Sequence, residues 1–359
     1  MKTDYKKLGD YITQRREKNT AINLPICGVC REGLIPPKQQ DADISLYNVF
    51  YKNDFIFNPA RMELNSITLN TEYDKAICSS LYEIFYINDT SKLLPEFLFV
   101  QLKTDNFVRF CEFQGQGSVR EYCRFANISE YPVIVPDLKE QEKIVNTYNA
   151  ITKRIQIKQK INENLEKTAQ CLFEELTKDK EPNGKLEDIA SITMGQSPDG
   201  DSYNENGKGM IFYQGKSDFG FRFVSERVYT NQPTRVAKEN DILLSVRAPV
   251  GVINITLKDC CIGRGLAAVS SKLNQNSFLF YTLKSQDSAF EIYNGEGTVF
   301  GSINSEGLKN LEIVIPNEKE ISKFESSVSK IDEQIKNNEL ELVKLNQLKQ
   351  LVVLQISRR

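Results

Sequence analysis

Apolar positions follow two patterns along this chain. Short, nearly continuous apolar runs at 81–87, 210–213 and 241–246 are rich in β-branched and aromatic residues and predict buried strands. Helical spacing appears over 95–110, through Phe97, Leu98, Val100, Leu102, Phe107 and Val108, and returns over 277–292. A longer pattern closes the chain. Val328, Ile331, Ile335, Leu342, Leu345, Val352 and Ile356 fall on alternating steps of three and four, with Asn338 and Lys349 in the two gaps. That is a heptad seam on a helix from about 318 to the terminus. Tyr148, Ile151, Ile155, Leu165, Ala169, Leu172 and Leu176 form a matching seam, with Lys158 and Asn162 polar. Glu181-Pro182-Asn183-Gly184 stops that earlier helix.

The two patterns occur twice. Gly115-Gln116-Gly117-Ser118-Val119 returns 180 positions later as Gly295-Glu296-Gly297-Thr298-Val299. The same offset carries Val133, Val135 and Pro136 to Ile313, Ile315 and Pro316. The chain therefore reads as two α+β units, at 1–140 and 181–317, each followed by a long helix, at 141–180 and 318–359. A period this long marks duplicated domains rather than a solenoid. Each helix could pack on its own domain. Because the seams match over the same length, the stronger expectation is that the helices pair through Ile151, Ile155, Leu165 and Leu172 on one and Ile331, Ile335, Leu345 and Val352 on the other. The polar gaps would weaken that pair and help fix its register.

Composition narrows the function. A chain of 359 residues and 41.0 kDa is long enough for two cores. Acids number 48 and bases 46, a net charge of −2, whereas a free-standing DNA binder is usually more basic. There is no histidine, which excludes Ser-His-Asp and Cys-His catalysis and histidine-ligated metals within the chain. The 8 cysteines are scattered. Cys27-Gly28-Val29-Cys30 has CxxC spacing, but a zinc site would want a second pair or histidines, so both read as reduced strand or turn cysteines and no metal is expected. No apolar run suggests a membrane span, and the segment Met1-Lys2-Thr3-Asp4-Tyr5-Lys6-Lys7 lacks a signal-peptide core, so a cytoplasmic protein is expected.

Several segments imitate catalytic motifs without completing one. Gly209 to Ser217 resembles a phosphate loop, yet the residues between its glycines are apolar and strand-like. Asp218-Phe219-Gly220 copies the kinase magnesium triplet with no companion motifs. Asn58-Pro59-Ala60-Arg61 is similar to an amino-methyltransferase motif but lacks its second proline and its aromatic. No catalytic residues can be assigned.

Taken in order, these segments match something else. Gly195-Gln196-Ser197-Pro198, Tyr213-Gln214-Gly215-Lys216-Ser217-Asp218-Phe219-Gly220, the run from Asp241 to Gly251 and Cys261-Ile262-Gly263-Arg264-Gly265-Leu266 resemble one type of target recognition domain. Such domains belong to the DNA specificity (S) subunit of type I restriction-modification systems. Asn53 to Arg61 and Gly115 to Arg120 resemble another variant of the domain. The resemblance covers nearly the whole chain. It implies two pseudo-repeated target recognition domains, each reading one half of a split target, and an antiparallel coiled coil setting the spacing. The seam from about Tyr148 to Leu176 would span roughly 43 Å at 1.5 Å per residue, or about 13 base pairs.

The resemblance further implies a non-catalytic subunit that binds double-stranded DNA. Two modification (methyltransferase) subunits would carry S-adenosylmethionine, and restriction subunits would use ATP and Mg. This chain itself would hold no cofactor. Arg and Lys reading guanine, and Asn and Gln reading adenine, are the expected contacts. The candidates are Asn58, Arg61, Arg120 and Arg124 in the first unit, and Gln196, Ser197, Gln214, Lys216, Ser217, Arg247 and Arg264 in the second. Arg247 and Arg264 could instead brace loops, and Lys216 could touch only phosphate. Two other readings stay open: a duplicated protein-interaction adaptor without DNA reading, and a degenerate enzyme.

Overall fold

The computed structural model describes residues 6–21, 23–31, 33–37, 43–115, 122–294 and 301–357. Packing divides the chain into two units: Met1–Gln156 with Lys344–Arg359, and Ile157–Val343. Both long helices, Leu138–Thr177 and Glu318–Ser357, contribute to each unit.

In unit 1 a four-stranded antiparallel sheet has the order Ile12–Arg15, Glu83–Ile87, Phe55–Phe57, Ile67–Leu69. Its side chains alternate between two cores, as the period of a strand requires. Phe55, Phe57 and Phe85 join the core under helices Pro95–Leu102 and Asp105–Gly115. Phe55 and Phe85 stack at 4.8 Å. Ile56 and Ile84, one residue out of phase, join Cys27, Val29, Phe50, Ala76 and Cys78 beneath a second sheet. That sheet has the order Gly33–Ile35, Ile26–Cys30, Lys75–Cys78, Asn48–Tyr51, with its middle pair parallel. Covered on both faces, the central strands read as unbroken apolar runs.

Unit 2 repeats this plan. Its four-stranded sheet runs Ala190–Met194, Leu266–Ser271, Ile242–Ser245, Ile253–Ile255. Ile242, Leu244, Ala267 and Val269 face a helical core, and Leu243, Leu266 and Ala268 face the second sheet. That second sheet runs Tyr203–Asn204, Val228–Thr230, Met210–Tyr213, Cys260–Ile262, Val236–Ala237, again with one parallel pair. Apart from the added strand Tyr203–Asn204, strand order and direction are those of unit 1.

The long helices run antiparallel within each unit. In unit 2, Lys158 meets Glu341 at 2.9 Å, Asn338 Nδ2 donates to Asn162 Oδ1 at 2.7 Å, and Lys180 meets Glu320 at 2.9 Å. In unit 1 the ammonium of Lys349 lies 4.8 Å from the centre of the Tyr148 ring. The polar gaps of one seam thus face polar or aromatic groups of the other. Ile151, Ile155 and Ile335 are buried, and Leu165, Ile331, Leu345 and Val352 are partly so.

Three local expectations change. Leu172 is 43% exposed, whereas Phe173 is 3% exposed and takes the inward place. The reason is tertiary: Phe278 and Phe324 each lie 5.9 Å from the Phe173 ring. The run 95–110 is two helices rather than one, because Thr104 Oγ1 accepts the Phe107 N–H and starts a new cap. The strand expected over 81–87 begins only at Glu83, and Leu81 and Tyr82 belong to a turn.

Candidate nucleic-acid interface

In unit 2 the loops at one end of the two sheets are tied through the turn Gly263–Leu266. Gly263 N–H donates to Tyr213 O (2.8 Å), Gln196 N–H to Ile262 O (2.9 Å), and Val246 N–H to Gly265 O (2.9 Å). Arg264 N–H reaches Ser197 Oγ (3.3 Å), and Arg247 bridges to Ser302. A Cβ on Gly265 would lie 2.5 Å from Gln214 O, so only glycine admits this approach.

This lattice brings Gln196, Gln214, Arg247 and Arg264 to one rim, with Lys216 and Ser217 on the turn after Gly215. All six are exposed. Among the described residues, the side chains of Gln196, Gln214, Lys216, Arg247 and Arg264 make no hydrogen bond or ion pair. Among the described residues, neither arginine braces a loop through its guanidinium group. Ser197 differs: it is half-buried and its hydroxyl oxygen holds the Arg264 turn, a positioning task. The hydroxyl of Ser217 lies 3.5 Å from Asp218 Oδ2.

The rim also holds a residue the sequence did not single out. Arg235 is exposed, and its carbonyl accepts the Ile262 N–H at 2.9 Å. Its only sequence signal is its place just before the short strand Val236–Ala237.

The look-alike motifs resolve as framework. Met210–Tyr213 is a strand between two others, so no phosphate loop exists there. Asp218 is buried and accepts from Arg227 Nε at 3.0 Å. Burial pushes the Tyr213 phenol well above its usual range, as expected of a core residue. Tyr213 is buried in the core on which Phe219 packs, and Phe223 is buried as well, but Phe221 is 42% exposed. Cys27 and Cys30 lie on strand Ile26–Cys30 with free thiols.

In unit 1 the equivalent end is built differently. Asn58 Oδ1 accepts the Ala60 N–H at 3.1 Å and caps the turn Pro59–Leu64, which commits that oxygen locally. Arg61 is exposed on that turn. Arg124 is exposed and pairs with Glu83 at 3.4 Å, while Glu83 Oε2 also accepts the Phe125 N–H at 2.7 Å. An exposed pair of this kind is weak. Arg120 lies outside the described residues, as do the first copy of the glycine motif beyond Gly115 and the whole of the second, 295–299. Arg31, exposed, follows strand Ile26–Cys30 directly, as Gln214 follows Met210–Tyr213. The candidates of the two units thus sit at corresponding sheet ends; among the described residues, unit 1 presents exposed Arg31 and Arg61 there and unit 2 the larger set of uncommitted polar side chains.

Among the described residues no group of three or more Cys, Asp or Glu could hold a metal ion, and no helix is long and apolar enough to cross a membrane.

The family model for the type I restriction modification DNA specificity domain matches this chain twice, at 35–167 and 178–348. The MjaX specificity subunit, assigned to a type I restriction enzyme of Methanocaldococcus jannaschii, is 33% identical over 253 residues, 64% of this chain. The match spans 58% of that relative's length. The MjaIX specificity subunit of the same organism is 23% identical over 72% of this chain and 67% of its own. The crystal structure of a type I restriction-modification S subunit from M. genitalium has the same fold, with a TM-score of 0.64 and 14% identity over 98% of this chain and 94% of that one. With both of its halves matched by one model, the chain belongs to the family of type I restriction-modification DNA specificity domains.

Proposed function

We propose that this chain is the non-catalytic DNA-reading subunit of a type I restriction-modification complex, each unit reading one half of a split target. The observation that carries the reading is the unit 2 rim, where exposed Gln196, Gln214, Arg247 and Arg264 converge uncommitted in a chain of this family. Guanidinium and amide groups are the side chains that form bidentate bonds with guanine and adenine edges in the major groove. Ser197, Ser217, Asn58 and Arg124 support or flank the readers. Arg61, Arg120, Lys216 and Arg235 add cationic contacts that position the duplex. The names of the Methanocaldococcus relatives agree with this assignment.

The chain's near-neutral charge, −2, assigns most phosphate neutralisation to partner subunits. Those partners are two modification subunits, which bring S-adenosylmethionine to methylate adenine, and restriction subunits, which use ATP and Mg. The paired helices set the unread gap, and the complex works in the cytoplasm on double-stranded DNA.

Arg264→Ala tests the assignment in the complex assembled with modification subunits. Affinity for one position of one half-site should fall about 5- to 150-fold, the ~1–3 kcal/mol of a bidentate contact. The other half-site should be read unchanged. Equal losses for every DNA sequence would contradict base reading by this rim.

A further inference from the structure

The turn joining the two sheets differs chemically between the units. In unit 2 it runs Gly263 to Leu266, closed by Leu266 N–H to Gly263 O at 3.0 Å, with Arg264 and Gly265 at its tip. In unit 1 it runs Ser79 to Tyr82, closed by Tyr82 N–H to Ser79 O at 3.0 Å, with Ser80 and Leu81 at its tip. Each turn follows the strand in the parallel pair and enters the central sheet, so the two are topological counterparts.

Leu81 is 76% exposed. Its turn is held fast: Leu81 N–H bonds Ser79 Oγ (3.3 Å), and Asn48 Nδ2 donates to Ser80 O (3.4 Å) and Tyr82 O (2.8 Å). A second exposed leucine, Leu46, ends the neighbouring turn Ile44–Leu46, where Lys18 Nζ bonds Leu46 O (3.1 Å) and Asn48 Oδ1 (2.7 Å). The apolar tip therefore has the Lys18 ammonium beside it, joined to its turn through Asn48.

A single exposed leucine is ordinary on a protein surface. This one stands on a rigid turn at the end of the fold where the counterpart unit presents Arg264. The apolar feature that the major groove offers is the C5 methyl group of thymine. We propose that Leu81 is a specificity-determining residue of unit 1 that packs against a thymine methyl group in its half-site. The inference rests on the DNA-reading assignment and adds the chemistry of one recognised base.

The test uses the full chain assembled with its modification subunits and duplexes carrying the motif that the complex methylates. Each thymine of the half-site read by unit 1, on either strand, is replaced singly by deoxyuridine, which keeps the base pair and removes only the methyl. One position should weaken binding about fourfold, the ~0.8 kcal/mol of one buried methyl-sized group. Leu81→Ala should weaken binding to the thymine duplex by a similar factor and abolish the response to deoxyuridine there. Leu81→Met should preserve that response.

The proposal is overturned if the half-site has no thymine, if no deoxyuridine matters, or if Leu81→Ala keeps the methyl dependence. It is also overturned if Leu81→Ala lowers recovery of the modification subunits while methyl dependence stays, because Leu81 would then be a protein contact. Failure of the wild-type complex to prefer any DNA sequence would overturn the DNA-reading assignment itself. Sequence preference without methyl dependence would overturn only the role of Leu81.

Discussion

Among the described residues, Arg222 is the largest fully buried side chain, 1% exposed. Its guanidinium bonds Asp332 (2.9 Å), Glu166 (3.2 Å) and the Tyr281 hydroxyl (2.8 Å), and lies 4.0 Å from the centre of the Phe280 ring. Within unit 2 it joins the sheet-bearing part to both long helices. Burial lifts the Asp332 carboxyl above the usual carboxylate range, although Arg222 pulls it down. Arg222→Met should therefore cost about 3–5 kcal/mol at pH 7, as an uncompensated buried charge does. In that variant Asp332 rises further. A carboxyl whose folded value exceeds its unfolded one loses stability as pH climbs through the interval between them. The deficit should accordingly be larger at pH 8 than at pH 5 in urea unfolding, and an equal deficit at both would contradict the account. Nothing in the local sequence marks Arg222. It sits between two phenylalanines in a stretch that reads as loop, and its partners are 110, 56 and 59 positions away. Arg247, Arg264 and Gln214, by contrast, could be singled out as candidates because they lie in segments that resemble a target recognition domain and carry base-pairing chemistry.

At the scale of elements, the heptad seam was the most legible feature, since its period depends only on apolar spacing. What the spacing could not show is which partner each position meets. Leu172 and Phe173 are adjacent and both apolar, and only the aromatic cluster with Phe278 and Phe324 selects Phe173. Similarly, Leu81 continues the apolar run of a strand, and a turn bond to Ser79 removes it. The polar gaps were visible as interruptions, and their pairing explains them: buried Asn338 bonds Asn162, while Asn162 Nδ2 donates to Glu339 at 2.7 Å. Asn338→Leu alone should lower stability by about 1–3 kcal/mol, because Asn162 and Lys158 lose a buried partner. Replacing Asn162 and Asn338 together with leucine should recover that loss in thermal unfolding and loosen the register. A double variant less stable than the single one would contradict this view of the pair.

At the scale of the molecule, duplication organises everything else. One three-layer plan, of helices, a central sheet and a second sheet, appears in both units with the same strand order, while the loops at the sheet ends differ in chemistry. The shared plan was readable as recurring patterns 180 residues apart. The rims were not, because hydrogen bonds among four separate strand ends assemble them. On the proposed reading, two readers on one chain would engage both half-sites at once, so affinity and specificity would rise together. The most direct test is a genome-wide methylation map of a host lacking such a system, expressing this chain with its modification subunit or that subunit alone. The account predicts a new split, adenine-methylated motif that appears only when this chain is present. An intact complex that adds no motif and binds no DNA sequence preferentially would contradict it.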